Sequence, residues 1–155
     1  MKKLILPLLM TILICSCMKN PKEQAKIYTN EQGLVADGYD VVAYFTESKA
    51  VLGNKQFSSK IGEATYYFSS ENNKAMFDNN TEQYIPIYGG WCAFAIMKEI
   101  KMEPSPKKWK IQDGKLMLFY DGFMTTFLGD PLEKWNKNPQ QCRKEADEKW
   151  PTLNK

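Results

Sequence analysis

Tyr88-Gly89-Gly90-Trp91-Cys92-Ala93-Phe94-Ala95-Ile96-Met97 is the stretch on which the reading of this chain turns. Two glycines followed by an apolar run predict a sharp turn that opens a buried helix, with Cys92 in the helix's first turn. Unpaired backbone N–H groups and the positive end of a helix dipole favour a thiolate at such a place. Cys92 is therefore the first candidate for chemistry.

Upstream, Asp37-Gly38-Tyr39-Asp40-Val41-Val42-Ala43-Tyr44-Phe45 predicts a short helix from Val41 to Phe45 capped by Asp40, with a buried strand as the alternative. Lys55 to Lys60 and Ala64 to Phe68 read as two strands of a hairpin, the second rich in aromatic and β-branched residues, with Gly62 in the turn. Ser69 or Ser70 then caps a helix through about Asp78, and a further helical turn covers Thr81 to Tyr84 before Pro86.

Downstream, Lys98 to Lys108 is a charged, proline-bearing loop. Asp113-Gly114 between Trp109-Lys110-Ile111 and Leu116 to Tyr120 is a strong hairpin signal, because both central residues of that turn need positive φ. Pro131 to Trp150 reads as helical with a break near Pro139, placing Trp135 and Trp150 over the sheet edge or the central helix. Helices and hairpins alternate without a βαβ rhythm, so the class is α+β: one small domain of antiparallel hairpins packed on a buried central helix and C-terminal helices.

The chain has 155 residues, room for one domain with a sizeable core. Residues 1–16 are set apart from it: Lys2 and Lys3 precede an apolar run from Leu4 to Ile14, too short for a permanent membrane span, and small residues follow. That is the pattern of a secretion signal. Cys17, directly after Ser16, resembles the lipobox of bacterial lipoproteins, in which the cysteine is acylated and becomes the mature N-terminus. The expected location is the bacterial cell envelope, with a lipid anchor in the inner or outer membrane. Residues 17–33 read as a tether and 34–155 as the domain.

Composition removes several function classes. The formal net charge is +3, and two of those charges belong to Lys2 and Lys3, so the mature domain has no electrostatic case for nucleic acid. There is no histidine, hence no Ser-His-Asp or Cys-His arrangement and no histidine-ligated zinc. No glycine-rich phosphate loop appears. After processing, Cys92 and Cys142 are the cysteines left inside the folded domain; export permits a disulfide between them, and a free surface thiol at Cys142 is the equal alternative.

Four ordered motifs carry a resemblance: Gly38-Tyr39-Asp40-Val41-Val42-Ala43-Tyr44-Phe45, Ala64-Thr65-Tyr66-Tyr67-Phe68-Ser69-Ser70-Glu71-Asn72, Tyr88-Gly89-Gly90-Trp91-Cys92-Ala93 and Asp113-Gly114-Lys115-Leu116. Together they resemble the exported branch of the YHS domain family, from about Asp37 to Pro151. The resemblance implies a small α+β domain, often attached to metal handling. Cysteine-rich branches of that family carry thiols directly after the aromatic strand and four residues on; here those positions are Ser69 and Asn73, and the Tyr-His-Ser triplet is missing.

These readings give a non-enzymatic binding module holding a soft metal ion such as copper, or a small ligand, near Cys92, with Asp40, Tyr39 and Tyr88 as companions. On a helix, the residues three and four after Cys92 are Ala95 and Ile96, so a second metal ligand must come from another segment, such as Asp40, Met117 or Met124. The alternatives are a thiol-redox protein using Cys92, with Cys142 as its resolving partner, and an envelope scaffold without a ligand.

Overall fold

The structure is a computed structural model that describes residues 26–155. Residues 1–25, which hold the expected signal peptide, Cys17 and the first part of the expected tether, lie outside the described residues. No helix among the described residues is long and apolar enough to cross a membrane.

The described chain is α+β, with two antiparallel hairpins, seven α-helices and two 3-10 turns. A 3-10 turn at Val35–Gly38 leads to α1 (Ala43–Thr46), then β1 (Asn54–Ile61) and β2 (Ala64–Phe68). Next come α2 (Glu71–Asn79), capped by the Ser70 hydroxyl accepting from the Asn73 N–H, and α3 (Thr81–Tyr84). A second 3-10 turn at Tyr88–Gly90 leads to α4 (Ala93–Ile96), β3 (Ser105–Gln112) and β4 (Lys115–Phe119). The chain closes with α5 (Thr125–Leu128), α6 (Pro131–Lys137) and α7 (Pro139–Leu153). The helix break expected near Pro139 lies at Asn138, with a proline opening each helix.

One expectation needs correction. The central helix is a single turn, Ala93–Ile96, and Cys92 stands just before it. Lys98 and Glu99 close it with turn hydrogen bonds, and Glu99 adopts a left-handed φ of 58°. The last residues of the segment read as a tether make contacts with the domain. Ile27 packs on the core, the Tyr28 N–H donates to the Gly89 carbonyl at 2.8 Å, and the Tyr28 ring meets Trp91 edge-on at 5.0 Å. Gly89 permits this approach: a Cβ there would sit 2.0 Å from the Lys26 carbonyl oxygen.

The domain is built twice. Ala36, Asp37 and Gly38 all adopt left-handed φ values, and so do Tyr88, Gly89 and Gly90. Each triplet precedes an aromatic residue (Tyr39, Trp91), then a buried residue (Asp40, Cys92), then a one-turn helix. The Asp40 N–H donates to the Val51 carbonyl at 2.8 Å, and the Cys92 N–H to the Met102 carbonyl at 3.0 Å. Each hairpin pairs an eight-residue with a five-residue strand, and each carries the same break in register, between Asn54 and Ser58 and between Ser105 and Trp109. Such bulges bend a strand and sharpen its twist, so the two hairpins curl alike.

Two apolar cores fill the domain. One gathers Val41, Tyr44, Tyr66, Phe68 and Phe77; the other gathers Ala93, Ile96, Phe119, Trp135 and Ala146. Strand β4 belongs to both, because successive side chains leave a strand on opposite faces. Leu116 and Leu118 enter the first core, Met117 and Phe119 the second. Trp135 is fully buried there, its ring 5.5 Å from Phe119 and its indole N–H donating to Gln112 Oε1 at 2.9 Å.

Candidate functional site

The equivalent residues Asp40 and Cys92 define two nodes with different contents. Asp40 is fully buried, and its carboxylate is saturated. Oδ1 accepts from the Val42 N–H at 2.9 Å and the Ala43 N–H at 3.3 Å, which is the capping role expected from sequence. Oδ2 accepts from the Ser69 N–H, the Ser69 hydroxyl and the Asn73 side-chain amide, each at 2.7 Å. A buried carboxylate needs such a set of donors to offset the loss of water. Ser69 and Asn73 thereby clamp the start of α1 to the start of α2. Neither offers a soft ligand, and the carboxylate between them has no open side, so this place does not fit a soft metal ion.

Cys92 occupies the corresponding nest. The backbone amides of Phe94, Ala95 and Tyr120 lie against its sulfur, much as those of Val42, Ala43 and Ser69 lie against Asp40. Burial nonetheless dominates and pushes the Cys92 thiol above its ordinary value, with those amides pulling it part of the way back. This corrects the expected thiolate: the side chain is 1% exposed and the one-turn helix behind it has little dipole to offer. Cys142, on α7, is buried too, and both cysteines are free thiols.

What sets the second node apart is empty space. A cavity of about 230 Å³ opens beside Cys92. Ala95 and Tyr120 share its inner wall with Cys92, and Met102, Met124 and Phe94 line its flanks. Ile100 and Leu128 form an apolar rim, 52% and 63% exposed, and Lys98 and Lys134 stand beside them. Tyr120 and Met124 follow β4 at the positions that Ser69 and Asn73 hold after β2. Where the first half closes its node with hydrogen bonds, the second half lines it with a ring and a thioether.

Of the four candidate ligand-binding residues, Cys92 lines this cavity and its three expected companions do not. Asp40 belongs to the other node, and Tyr39 packs on the first core while pairing with Leu52 in an isolated bridge. Tyr88 is buried against the C-terminal helix: its hydroxyl donates to Asp147 Oδ1 at 2.8 Å, and its ring lies 6.0 Å from both the Arg143 guanidinium and the Trp150 ring. Burial, reinforced by that hydrogen bond, pushes its phenol far up. Of the suggested second ligands, Met124 reaches the cavity, whereas Met117 is sealed in the core. Among the described residues no group of three or more His, Cys, Asp or Glu side chains is placed to hold a metal.

Met102, Tyr120, Lys98 and Lys134 had no local sequence signal. Only the repeat relationship points to one of them, since Tyr120 stands where Ser69 stands in the other half. No protein-family model, curated protein or solved structure matches this chain.

Proposed function

We propose that this chain is a non-enzymatic binding module of the bacterial envelope, tethered through acylated Cys17, that holds a small apolar ligand in the cavity beside Cys92. The observation that carries the reading is the cavity itself: an apolar concavity with a few polar groups at one side is the usual form of a small-molecule site. A cavity of about 150 Å³ is large enough for benzene, so one of about 230 Å³ has room for a somewhat larger guest. The tether and the YHS-like character remain part of this proposal on the strength of the sequence motifs. The test is thermal: saturating toluene raises the Tm of the full chain, since a ligand bound only to the folded state stabilises it. Met124→Trp, which fills the space, abolishes the rise, and no rise in the parent chain at saturation overturns the reading.

A second reading, a soft monovalent metal such as copper(I), is favoured by one observation. Cys92, Met102 and Met124, three sulfur-bearing residues, line the same cavity. Copper(I) uptake at one ion per chain, lost in Cys92→Ser, supports it; uptake unchanged in that variant rejects it. The thiol-redox alternative has little support, because burial moves the Cys92 thiol in the direction opposite to activation.

A further inference from the structure

We infer that the cavity is built for a single-chain amphiphile with an anionic head, of the medium-chain carboxylate class, with Lys98 and Lys134 receiving the head group. This rests on the small-ligand reading above and adds the chemical class of the guest.

Two independent features converge. The first is charge at the entrance. The ammonium groups of Lys98 and Lys134 lie 5.9 and 5.8 Å from the centroid of the same Phe94 ring, a ring that also lines the cavity. Neither lysine forms an ion pair with a carboxylate among the described residues; Lys134 donates instead to the Leu128 carbonyl. Asp121 and Asp130 share Lys108, and Glu99 pairs with Lys149, so none of these carboxylates is in contact with Lys98 or Lys134. The entrance thus presents two ammonium groups outside any direct ion pair among the described residues, beside an apolar interior.

The second feature is the apolar surface outside. Ile100 and Leu128 carry the lining out to solvent, and Phe123 and Phe127, flanking Met124 and Leu128 along the chain, are 77% and 80% exposed. Large exposed apolar patches mark interaction or ligand-binding surfaces, and Ile100 and Leu128 carry such surface up to the cavity. A chain of about eight carbons suits the interior, by comparison with a cavity of roughly 150 Å³ that holds benzene. A longer chain continues over the rim rather than into water.

An anionic head and an apolar tail make separate demands on this site, and the experiment separates them. The full chain in phosphatidylcholine nanodiscs is titrated calorimetrically with octanoate, octanol and octylammonium, with empty nanodiscs as the blank. Octanoate is expected to bind at least tenfold more tightly than octylammonium. Each methylene added from butanoate to octanoate is expected to tighten binding about fourfold, the equivalent of about 0.8 kcal/mol. Lys98→Met with Lys134→Met, both at exposed positions, is expected to bring the ratio of octanoate to octylammonium affinity down to about one. If octanol binds and octanoate binds no better than octylammonium, or if the double variant keeps the preference, the anionic assignment is overturned and the apolar cavity stands. If none of the three binds, both readings fall. Met124→Trp controls for the location by removing octanol and octanoate binding together.

Discussion

The two halves of this domain share a backbone and differ in what they place at one position. Around Asp40 the first half closes: five hydrogen bonds converge on a carboxylate, from Val42, Ala43, Ser69 and Asn73. Around Cys92 the second half opens: the same nest of amides holds a compact, weakly polar sulfur, and Tyr120 and Met124 leave space beside it. One node spends its position on cohesion and the other keeps it available. In a duplicated fold, that division is what the proposed binding site rests on, more than on any single residue.

The largest effect expected from breaking this comparison is at Asp40. Asp40→Ala strands buried donors on two elements and should cost about 3 kcal/mol or more, read as a fall in the urea midpoint. Cys92→Ala, at the equivalent position, removes one small side chain next to existing space and should cost only about 1–2 kcal/mol. Equal losses at the two positions would erase the distinction between a structural and an open node.

A smaller effect is expected at the turn that starts the second half. Gly89 has a left-handed φ of 60° and meets the Lys26 carbonyl, so Gly89→Ala suffers twice, from strain and from collision. We expect a loss of about 1–2 kcal/mol and release of Tyr28 from Trp91, visible as a red shift in tryptophan emission. Gly38→Ala, in the triplet of the first half with φ of 81°, meets only side-chain atoms of Leu34 and Tyr67 and should leave the emission unchanged.

The smallest concerns the edge of the cavity, where Asp130 caps α6 through the Leu132 and Glu133 amides and pairs with Lys108. Burial works to raise its carboxyl, but the hydrogen bond from Lys108 and those two amides outweigh it and hold the group below its ordinary value of 3.8. A carboxyl depressed in the folded state contributes stability that is complete above the unfolded value and is lost as pH falls through the folded one. Asp130→Asn should therefore cost up to about 1 kcal/mol at pH 7, and less as the solution is acidified below 3.8. Urea titrations of both chains at pH 7 and pH 3 measure the convergence.

Much of the architecture was legible because it is written locally. Asp113-Gly114 has both φ values positive, as its turn demands, and Thr81–Tyr84, Ala64–Phe68 and the break between α6 and α7 lie where turn, strand and proline chemistry put them. The length of the central helix was not legible: an apolar run from Ala93 onward signals burial, and burial is equally served by one turn packed between α6, α7 and β4. The state of Cys92 was misread for the same reason, since an amide nest and a desolvated pocket have opposite effects on a thiol and only the fold says which prevails. The cavity depends on residues brought from α4, the loop after it, β4's end, α5 and α6, and no spacing rule joins them. The repeat itself is carried by backbone angles and register more than by side-chain identity: Asp40 aligns with Cys92, Ser69 with Tyr120.

Strand β4 has a consequence for how this molecule comes apart. Leu116 and Leu118 line one interior while Met117 and Phe119 line the other, so the strand is a party wall between two rooms. Neither room can be dismantled without exposing its neighbour to water. A chain assembled from two similar pieces consequently melts as one, and damage admitted on either side is charged to the whole.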